Sequence, residues 1–407
     1  DFSPEGRMVI RNLLLATQAG LGSGETSIFP VQIFKVKEGV NYNEGDPNYD
    51  LFKMAIKTSA MRLFPNFSFL DAPFNLQYYK PGDYNSEVAY MGCRTRVLGN
   101  VYDPDRQVTC GRGNLSFTSI NLPRLGIEAK GDLDRFFQLL DDQIDLVFRQ
   151  LLHRFDIQCS KKVRNYPFLM GNGIWLDSEK LDWDESVAEV LKHGTLTVGF
   201  IGLAETLVAL TGKHHGESEE SYNLGYEIIS YMRKRMDDKS QETGLNFTLL
   251  ATPAEGLSGR FTKMDRRKFG KIPGVTDRDY YVNSFHVDVK EPISIVEKIK
   301  CEAPFHAITR GGHITYVELD GEAQKNVRAI AKIVKVMHDE GIGYGSINHP
   351  VDTCHNCGYK GVIFDKCPVC QSESILRMRR ITGYLTGDLS SWNSAKRAEE
   401  KDRVKHL

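Results

Sequence analysis

The sequence predicts an α/β protein, and three observations carry that expectation. Stretches with apolar residues at helical intervals alternate with short apolar bursts of strand character. Of the 407 residues 41% are apolar, with 21 Phe and 17 Tyr, enough to bury a sizeable core. A tight four-cysteine array near the carboxyl end marks off a small separate module.

Residues 1–130 are rich in Gly, Asn, Pro and aromatics. Bursts such as Phe29-Pro30-Val31-Gln32-Ile33-Phe34 read as short strands joined by long, structured loops. From Leu133 to about Phe155 the residues Phe136, Leu140, Ile144, Val147 and Leu151 recur on one helical face, with Asp132 as N-cap. A second helical stretch is expected from Ser186 to Thr211, broken or tightly packed at Gly194, Gly199 and Gly202. A third runs from Glu219 to Lys239 behind Ser218, and a fourth from Gln324 to Glu340. Tyr281–Phe285 and His313–Val317 read as strands. The composition shifts after Pro350, and a charged tail follows from Arg377 to Leu407.

Lys+Arg is 52 and Asp+Glu is 53, a net charge of −1. No excess of cations exists to coat a nucleic acid, so direct nucleic-acid binding is not expected. No apolar run approaches the roughly 18 residues of a membrane span, so no membrane partner is expected. The scattered single thiols among the eight cysteines suit a reducing compartment, the cytoplasm. The chain opens Asp1-Phe2 rather than with Met, and reads as a segment of a longer protein.

Cys354, Cys357, Cys367 and Cys370 form a C-x2-C-x9-C-x2-C array. Each C-x2-C turn aims two thiolates at one point, and two such turns make a tetrahedral four-sulfur cage suited to zinc. Four protein ligands leave no open position, so the metal is expected to be structural. An iron–sulfur cluster is the second reading.

Downstream of the cage, Arg380-Ile381-Thr382-Gly383-Tyr384-Leu385 resembles the glycyl-radical loop of anaerobic (class III) ribonucleoside-triphosphate reductases. Many members carry Cys where this chain has Thr382. Phe64-Pro65-Asn66-Phe67-Ser68-Phe69 resembles the family's active-site strand, and Met91-Gly92-Cys93-Arg94-Thr95-Arg96 its finger loop. Gly111–Thr118, Gly199–Glu205, His214–Ser218 and Ala251–Leu257 continue the likeness. It implies a ten-stranded α/β barrel of the glycyl-radical enzyme type, N-terminally incomplete here. The expected division is a catalytic domain over 1–345, a zinc module over 346–375, and a radical loop with its tail over 376–407.

The implied activity is anaerobic reduction of ribonucleoside triphosphates to deoxyribonucleoside triphosphates. A radical at the ribose 3′ carbon makes loss of the 2′-hydroxyl feasible, and a thiyl radical is able to abstract that hydrogen. A backbone glycyl radical stores the electron, because glycine without Cβ flattens freely and allows close approach. The resemblance therefore implies Gly383 as radical store and Cys93 as thiyl, against a buried structural cysteine as the plain reading. Asn114 is implied to hold a ribose hydroxyl or formate, against a turn asparagine. Glu255 is implied to accept the 3′-hydroxyl proton, against a solvated loop glutamate. Formate is the implied reductant. A radical S-adenosylmethionine activating enzyme, nucleotide allosteric effectors and a homodimer are the implied partners. The family's second cysteine has no counterpart here and is expected before Asp1. Another glycyl-radical enzyme, of formate lyase or dehydratase type, and a truncated non-catalytic nucleotide-binding homologue are the alternatives. Deoxyribonucleotide formation separates them.

Overall fold

The computed structural model describes residues 3–22, 24–27, 29–382, 384–386 and 389–406. The strands among them are β1 (Ile33–Val36), β2 (Asn66–Phe69), β3 (Tyr90–Met91), β4 (Thr95–Arg96), β5 (Asn114–Asn121), β6 (Thr195–Ile201) and β7 (Asn246–Ala251), then β8 (Thr315–Glu318), β9 (Tyr344–Asn348), β10 (Val351–Cys354), β11 (Lys360–Gly361), β12 (Ile375–Ile381) and β13 (Tyr384–Thr386). They fall into two compact units: 1–72, 289–303 and 314–407 form one, and 73–288 with 304–313 the other.

In the first unit a four-stranded sheet has the order β1-β2-β9-β8, and a second has the order β11-β10-β12-β13. The helices Tyr49–Arg62 and Val327–Asp339 bury Phe52, Ile56, Ile330 and Val334 with Phe67, Phe69, Val317 and Ile347 of the first sheet. In the second unit β5, β6 and β7 run parallel in that order. The helices Leu133–Cys159 and Glu219–Thr243 cover one face, packing Leu140, Ile144, Ile228 and Met232 with Leu196, Val198, Phe200 and Leu249. Among the described residues no sheet closes on itself, and no helix is long and apolar enough to cross a membrane.

The long helix stands where the periodicity puts it, with the Asp132 carboxylate accepting from the Arg135 N–H at 3.0 Å. The stretch 186–211 differs. It divides into a short helix Ala188–Leu191, strand β6 and the helix Leu203–Thr211. Every residue of β6 is buried, and a strand buried on both faces shows the same dense apolar content as a core helix. Residues 1–130 also hold helices that the loop-like composition hid, Pro4–Ala19, Tyr49–Arg62 and Leu122–Ala129 among them. Tyr281–Phe285 is loop rather than strand: Val282 and Ser284 carbonyls accept from Gly202 and Leu203 N–H groups, not from a neighbouring strand.

The helix Val327–Asp339 ends on His338, stacked on Tyr42 at 3.9 Å between ring centres. Its Nε2 is 3.2 Å from Asp71 and its Nδ1 3.0 Å from Asp339. Burial pulls the imidazole pKa down, but the two carboxylates outweigh it and the net shift is upward. This contribution to stability is full below the ordinary histidine value of about 6.5 and is lost as pH rises through the raised folded value. The wild type is therefore expected to lose an advantage of about 1 kcal/mol over His338→Gln between pH 6 and pH 9. Thermal melts of the two proteins across that range check it, and a constant difference would contradict it.

Candidate active site and four-cysteine centre

Both units bury a sheet on two faces while keeping one face polar. In β6 and β7 the residues Leu196, Val198, Phe200, Phe247, Leu249 and Ala251 join the helix-covered core. Thr195, Thr197, Asn246 and Thr248 alternate with them, and all are buried. In the first unit Asn66, Ser68, Tyr316, Tyr344, Ser346 and Asn348 alternate in the same way with the core residues of β2, β8 and β9. Parallel strands buried on both sides usually read as continuous apolar runs. A buried polar face is instead what an enclosed reaction site requires.

Cys93 lies half-buried in the turn Gly92–Arg94 between β3 and β4, as a free thiol. The Arg96 N–H donates to the Gly311 carbonyl at 3.0 Å, and Gly312 bridges Thr95 on one side and Leu250 of β7 on the other. A Cβ on Gly113 would stand 4.0 Å from Met91 Sδ. The hairpin therefore reaches from the carboxyl-end half of β7 to the start of β5. Met91, two residues before Cys93, thus comes beside Gly113, the residue before Asn114.

Asn114 is the first residue of β5 rather than a turn residue. Its Oδ1 accepts from Thr197 Oγ1 at 3.0 Å, on the polar face of the sheet. Glu255 is half-buried and precedes the helix Gly256–Phe269 without capping it through its side chain. It follows β7 by four residues and so lies at the carboxyl end of the parallel sheet, whereas Asn114 lies at the amino end. The five steps of β7 alone separate those ends by about 17 Å.

The return path from the hairpin to β5 is held by residues to which the sequence reading gave no role. Asn246 Oδ1 accepts from the Val101 N–H at 2.7 Å, and its Nδ2 donates to the Lys192 carbonyl at 2.9 Å. Burial lowers the pKa of His193 although Asp177 opposes this, so the ring is neutral at pH 7. Asn100 Nδ2 then donates to His193 Nδ1 at 3.1 Å, and Nε2–H donates to Asp177 at 2.9 Å. Arg112 donates to the carbonyls of His193, Val108 and Gly99. Apart from Val108, four positions from Arg112, these partners lie 13 to 145 positions apart in sequence, and no local pattern announces them.

In the first unit β12 and β13 pair with Ile381 opposite Tyr384, leaving Thr382 and Gly383 between them. Thr382 is buried at φ 49°, and its carbonyl accepts from Tyr316 OH at 3.4 Å. Gly383 lies outside the described residues. Arg380, on β12, donates to Asn66 Oδ1 at 2.6 Å and Ser346 Oγ at 3.1 Å, and lies over the Tyr316 ring.

The sulfurs of Cys354, Cys357, Cys367 and Cys370 lie within 4.8 Å of one another, with Cys354–Cys370 and Cys357–Cys367 both at 3.5 Å. A tetrahedron of 2.3 Å metal–sulfur bonds has edges of about 3.8 Å, so the donor set fits one such ion. Two matching turns build it. In each, the residue four beyond the first cysteine has positive φ (Gly358 74°, Gln371 59°) and donates its N–H to that cysteine's carbonyl at 2.9 Å. Each first cysteine donates its own N–H to the carbonyl of the residue five further on, Tyr359 or Ser372. Cys354 pairs with Ile375, so the cage and the strand leading to Thr382 share one sheet.

Similarity to known proteins extends over nearly the whole chain. The family described as anaerobic ribonucleoside-triphosphate reductase matches residues 1–406. The anaerobic ribonucleoside-triphosphate reductase of Escherichia coli (strain K12) is 34% identical over 99% of this chain and 57% of its own length. The enzyme of that name from Enterobacteria phage T4 is 32% identical over 98% of this chain and 66% of its own. The chain thus spans less than two thirds of these relatives. Among solved structures, the anaerobic ribonucleotide reductase from Thermotoga maritima in complex with dATP and CTP superposes with a TM-score of 0.66 at 18% identity, over 98% of this chain and 58% of that one. That likeness shows the fold. Sequence and fold agree, and the chain belongs to the anaerobic ribonucleoside-triphosphate reductase family.

Proposed function

We propose that the protein to which this chain belongs reduces ribonucleoside triphosphates to deoxyribonucleoside triphosphates by glycyl and thiyl radical chemistry. Gly383 stores the electron, and Cys93 carries it to the substrate. The Cys93 thiyl takes the hydrogen from the ribose 3′ carbon, the 3′-hydroxyl gives up its proton, and the 2′-hydroxyl leaves as water; Glu255, about a strand length from Asn114, is too far away to accept that proton from a ribose which Asn114 holds. Formate supplies the two electrons and leaves as carbon dioxide, so that nucleotide, formate and one proton give deoxynucleotide, carbon dioxide and water. Asn114 both donates and accepts, and holds formate or a ribose hydroxyl. The reading is carried by one observation: Met91, in the hairpin that bears Cys93, comes beside Gly113, next to Asn114, in a chain whose sequence matches this family throughout.

Zinc in the four-cysteine cage is the structural metal of this reading; it takes no part in the chemistry. Its cage shares a sheet with β12 and so fixes the base of the Gly383 loop. The reading further includes a complete ten-stranded barrel, the division at residues 345 and 375, a homodimer, nucleotide effectors, a radical S-adenosylmethionine activating enzyme and a cytoplasmic location.

The test is anaerobic activation of the full-length protein followed by electron paramagnetic resonance and product analysis. A doublet is expected that vanishes in Gly383→Ala, with formate-dependent deoxyribonucleotide formation that vanishes in Asn114→Ala. A doublet persisting in Gly383→Ala, or turnover without formate on a thiol reductant, would overturn the corresponding part. The cage offers a separate check. Gln371→Gly removes a left-handed non-glycine residue at no loss of hydrogen bonds, and is expected to stabilise the turn by about 0.5–1 kcal/mol. Slower loss of zinc to a chelator is the readout, and faster loss would contradict it.

A further inference from the structure

In parallel sheets ligands gather at the carboxyl ends of the strands. Here that end carries an arrangement which the radical chemistry above does not use. The loop Tyr281–His286 crosses the ends of β6 and β7. It accepts from the Gly202 and Leu203 N–H groups through the Val282 and Ser284 carbonyls at 2.9 and 3.0 Å. The Val282 N–H donates to Glu205 Oε1 at 2.8 Å. Asn283 Oδ1 accepts from the Ala254 N–H at 2.6 Å, one residue before Glu255.

The same loop leaves three polar atoms buried without a partner among the described residues: Asn283 Nδ2, Ser284 Oγ and Glu205 Oε2. Asn283 is 2% exposed, and Ser284 and Glu205 are fully buried. Ser284 is also a left-handed non-glycine residue, at φ 45°. Buried donors are nearly always satisfied in folded proteins, and unpaired donors beside a strained backbone mark places where function sets the geometry. Beside them a Cβ on Gly256 would meet nothing within 4 Å, so the turn that Asn283 holds faces open space. Burial pushes the Glu205 carboxyl up to about 7 despite the neighbouring Arg278.

We propose that Asn283 contacts the substrate: its Oδ1 fixes the Ala254–Glu255 turn, and its Nδ2 is kept for an oxygen acceptor of a ribonucleoside triphosphate. This rests on the ribonucleotide reading and extends it to a residue outside the radical path. Nδ2 and Ser284 Oγ are already shielded from water, so an oxygen arriving there gains hydrogen bonds without first stripping solvent from the donors. The acceptor is a phosphate oxygen or a ribose hydroxyl, which share this chemistry.

Asn283→Asp separates the two roles, because it keeps an acceptor for Ala254 and removes the Nδ2 donor. Binding of CTP, inorganic tripolyphosphate and cytidine to the full-length protein is measured by calorimetry, and amide exchange is followed over residues 252–256. In Asn283→Asp, CTP affinity is expected to fall at least tenfold with exchange unchanged. In Asn283→Ala both are expected to change. A parallel loss for tripolyphosphate assigns Nδ2 to phosphate, and a loss for cytidine alone assigns it to the ribose. Wild-type affinity of Asn283→Asp for all three, or exchange as fast as in Asn283→Ala, would overturn the proposal. A wild-type protein that binds none of them would instead overturn the ribonucleotide reading itself.

Discussion

Gly312→Ala is expected to lower turnover by at least 100-fold while both compact units stay folded. The added Cβ would lie 2.2 Å from the Arg94 carbonyl oxygen, 2.8 Å from Thr95 Cα and 2.9 Å from the Arg94 carbonyl carbon. These are backbone atoms, so no side-chain rotation relieves the clash. The φ of 138° at this position is a further penalty for any residue with a Cβ. Either the Thr95–Gly312 bridge or the Leu250–Gly312 bridge must open, and each outcome moves the turn that holds Cys93 relative to β7. Overpacking of this kind costs about 1–3 kcal/mol, which the extensive core on the helix-covered face absorbs. A displacement of about 1 Å at reacting atoms costs about 100-fold in rate. Circular dichroism should match the wild type, the doublet should still form at Gly383, and product formation should fail. Full turnover in Gly312→Ala would show that the hairpin does not depend on this contact.

Gly312 illustrates what a single sequence conceals. Its neighbour Arg94 is 218 positions away, and nothing around Gly311-Gly312 distinguishes a close backbone approach from an ordinary turn. The four-cysteine centre was legible because both of its turns are local and their spacing alone dictates the cage. The helix from Leu133 was legible because an amphipathic period over seven turns and an aspartate N-cap point the same way. Strand β6 was not, because burial on two faces removes the contrast that reveals a strand. Tyr281–Phe285 has the composition of a strand. Its backbone partners, however, are the first turn of the helix Leu203–Thr211 and the Glu205 carboxylate, which only the tertiary structure supplies. Cys93 and Asn114 were named through the family likeness. Asn246 and Asn283 act through contacts between distant segments and were missed, and His193 gains its role only from such contacts.

Arg403→Gln is expected to destabilise the first unit by about 3–5 kcal/mol, the range found when one partner of a buried ion pair is removed. Arg403 donates to Glu318 of β8, to Glu399 at 2.9 Å and to the Arg380 carbonyl of β12 at 3.5 Å. Lys396 holds Glu399 from the other side at 2.5 Å, and Asn348 Nδ2 donates to Glu318 at 2.8 Å. Burial lowers the His406 pKa to about 4, so its neutral Nδ1 accepts the Glu318 N–H, while the His406 backbone N–H donates to the Glu318 carbonyl. The carboxyl-terminal segment is thus pinned to β8 and β12 by charges with little access to water. Removing the guanidinium takes from Glu318 the cation that contacts it and leaves only the field of Lys405, whereas Glu399 keeps Lys396. Glu318→Gln combined with Arg403→Gln leaves a neutral pair able to hydrogen-bond, and should recover more than half of the loss. Amide exchange over residues 375–382 is the more telling readout, because β12 leads straight to the Gly383 loop. Exchange there should rise in Arg403→Gln and return toward wild type in the double variant. If the single variant melts like the wild type and β12 stays protected, the buried charges do not brace that strand, and the position of the loop must then depend on the cysteine cage at its other end.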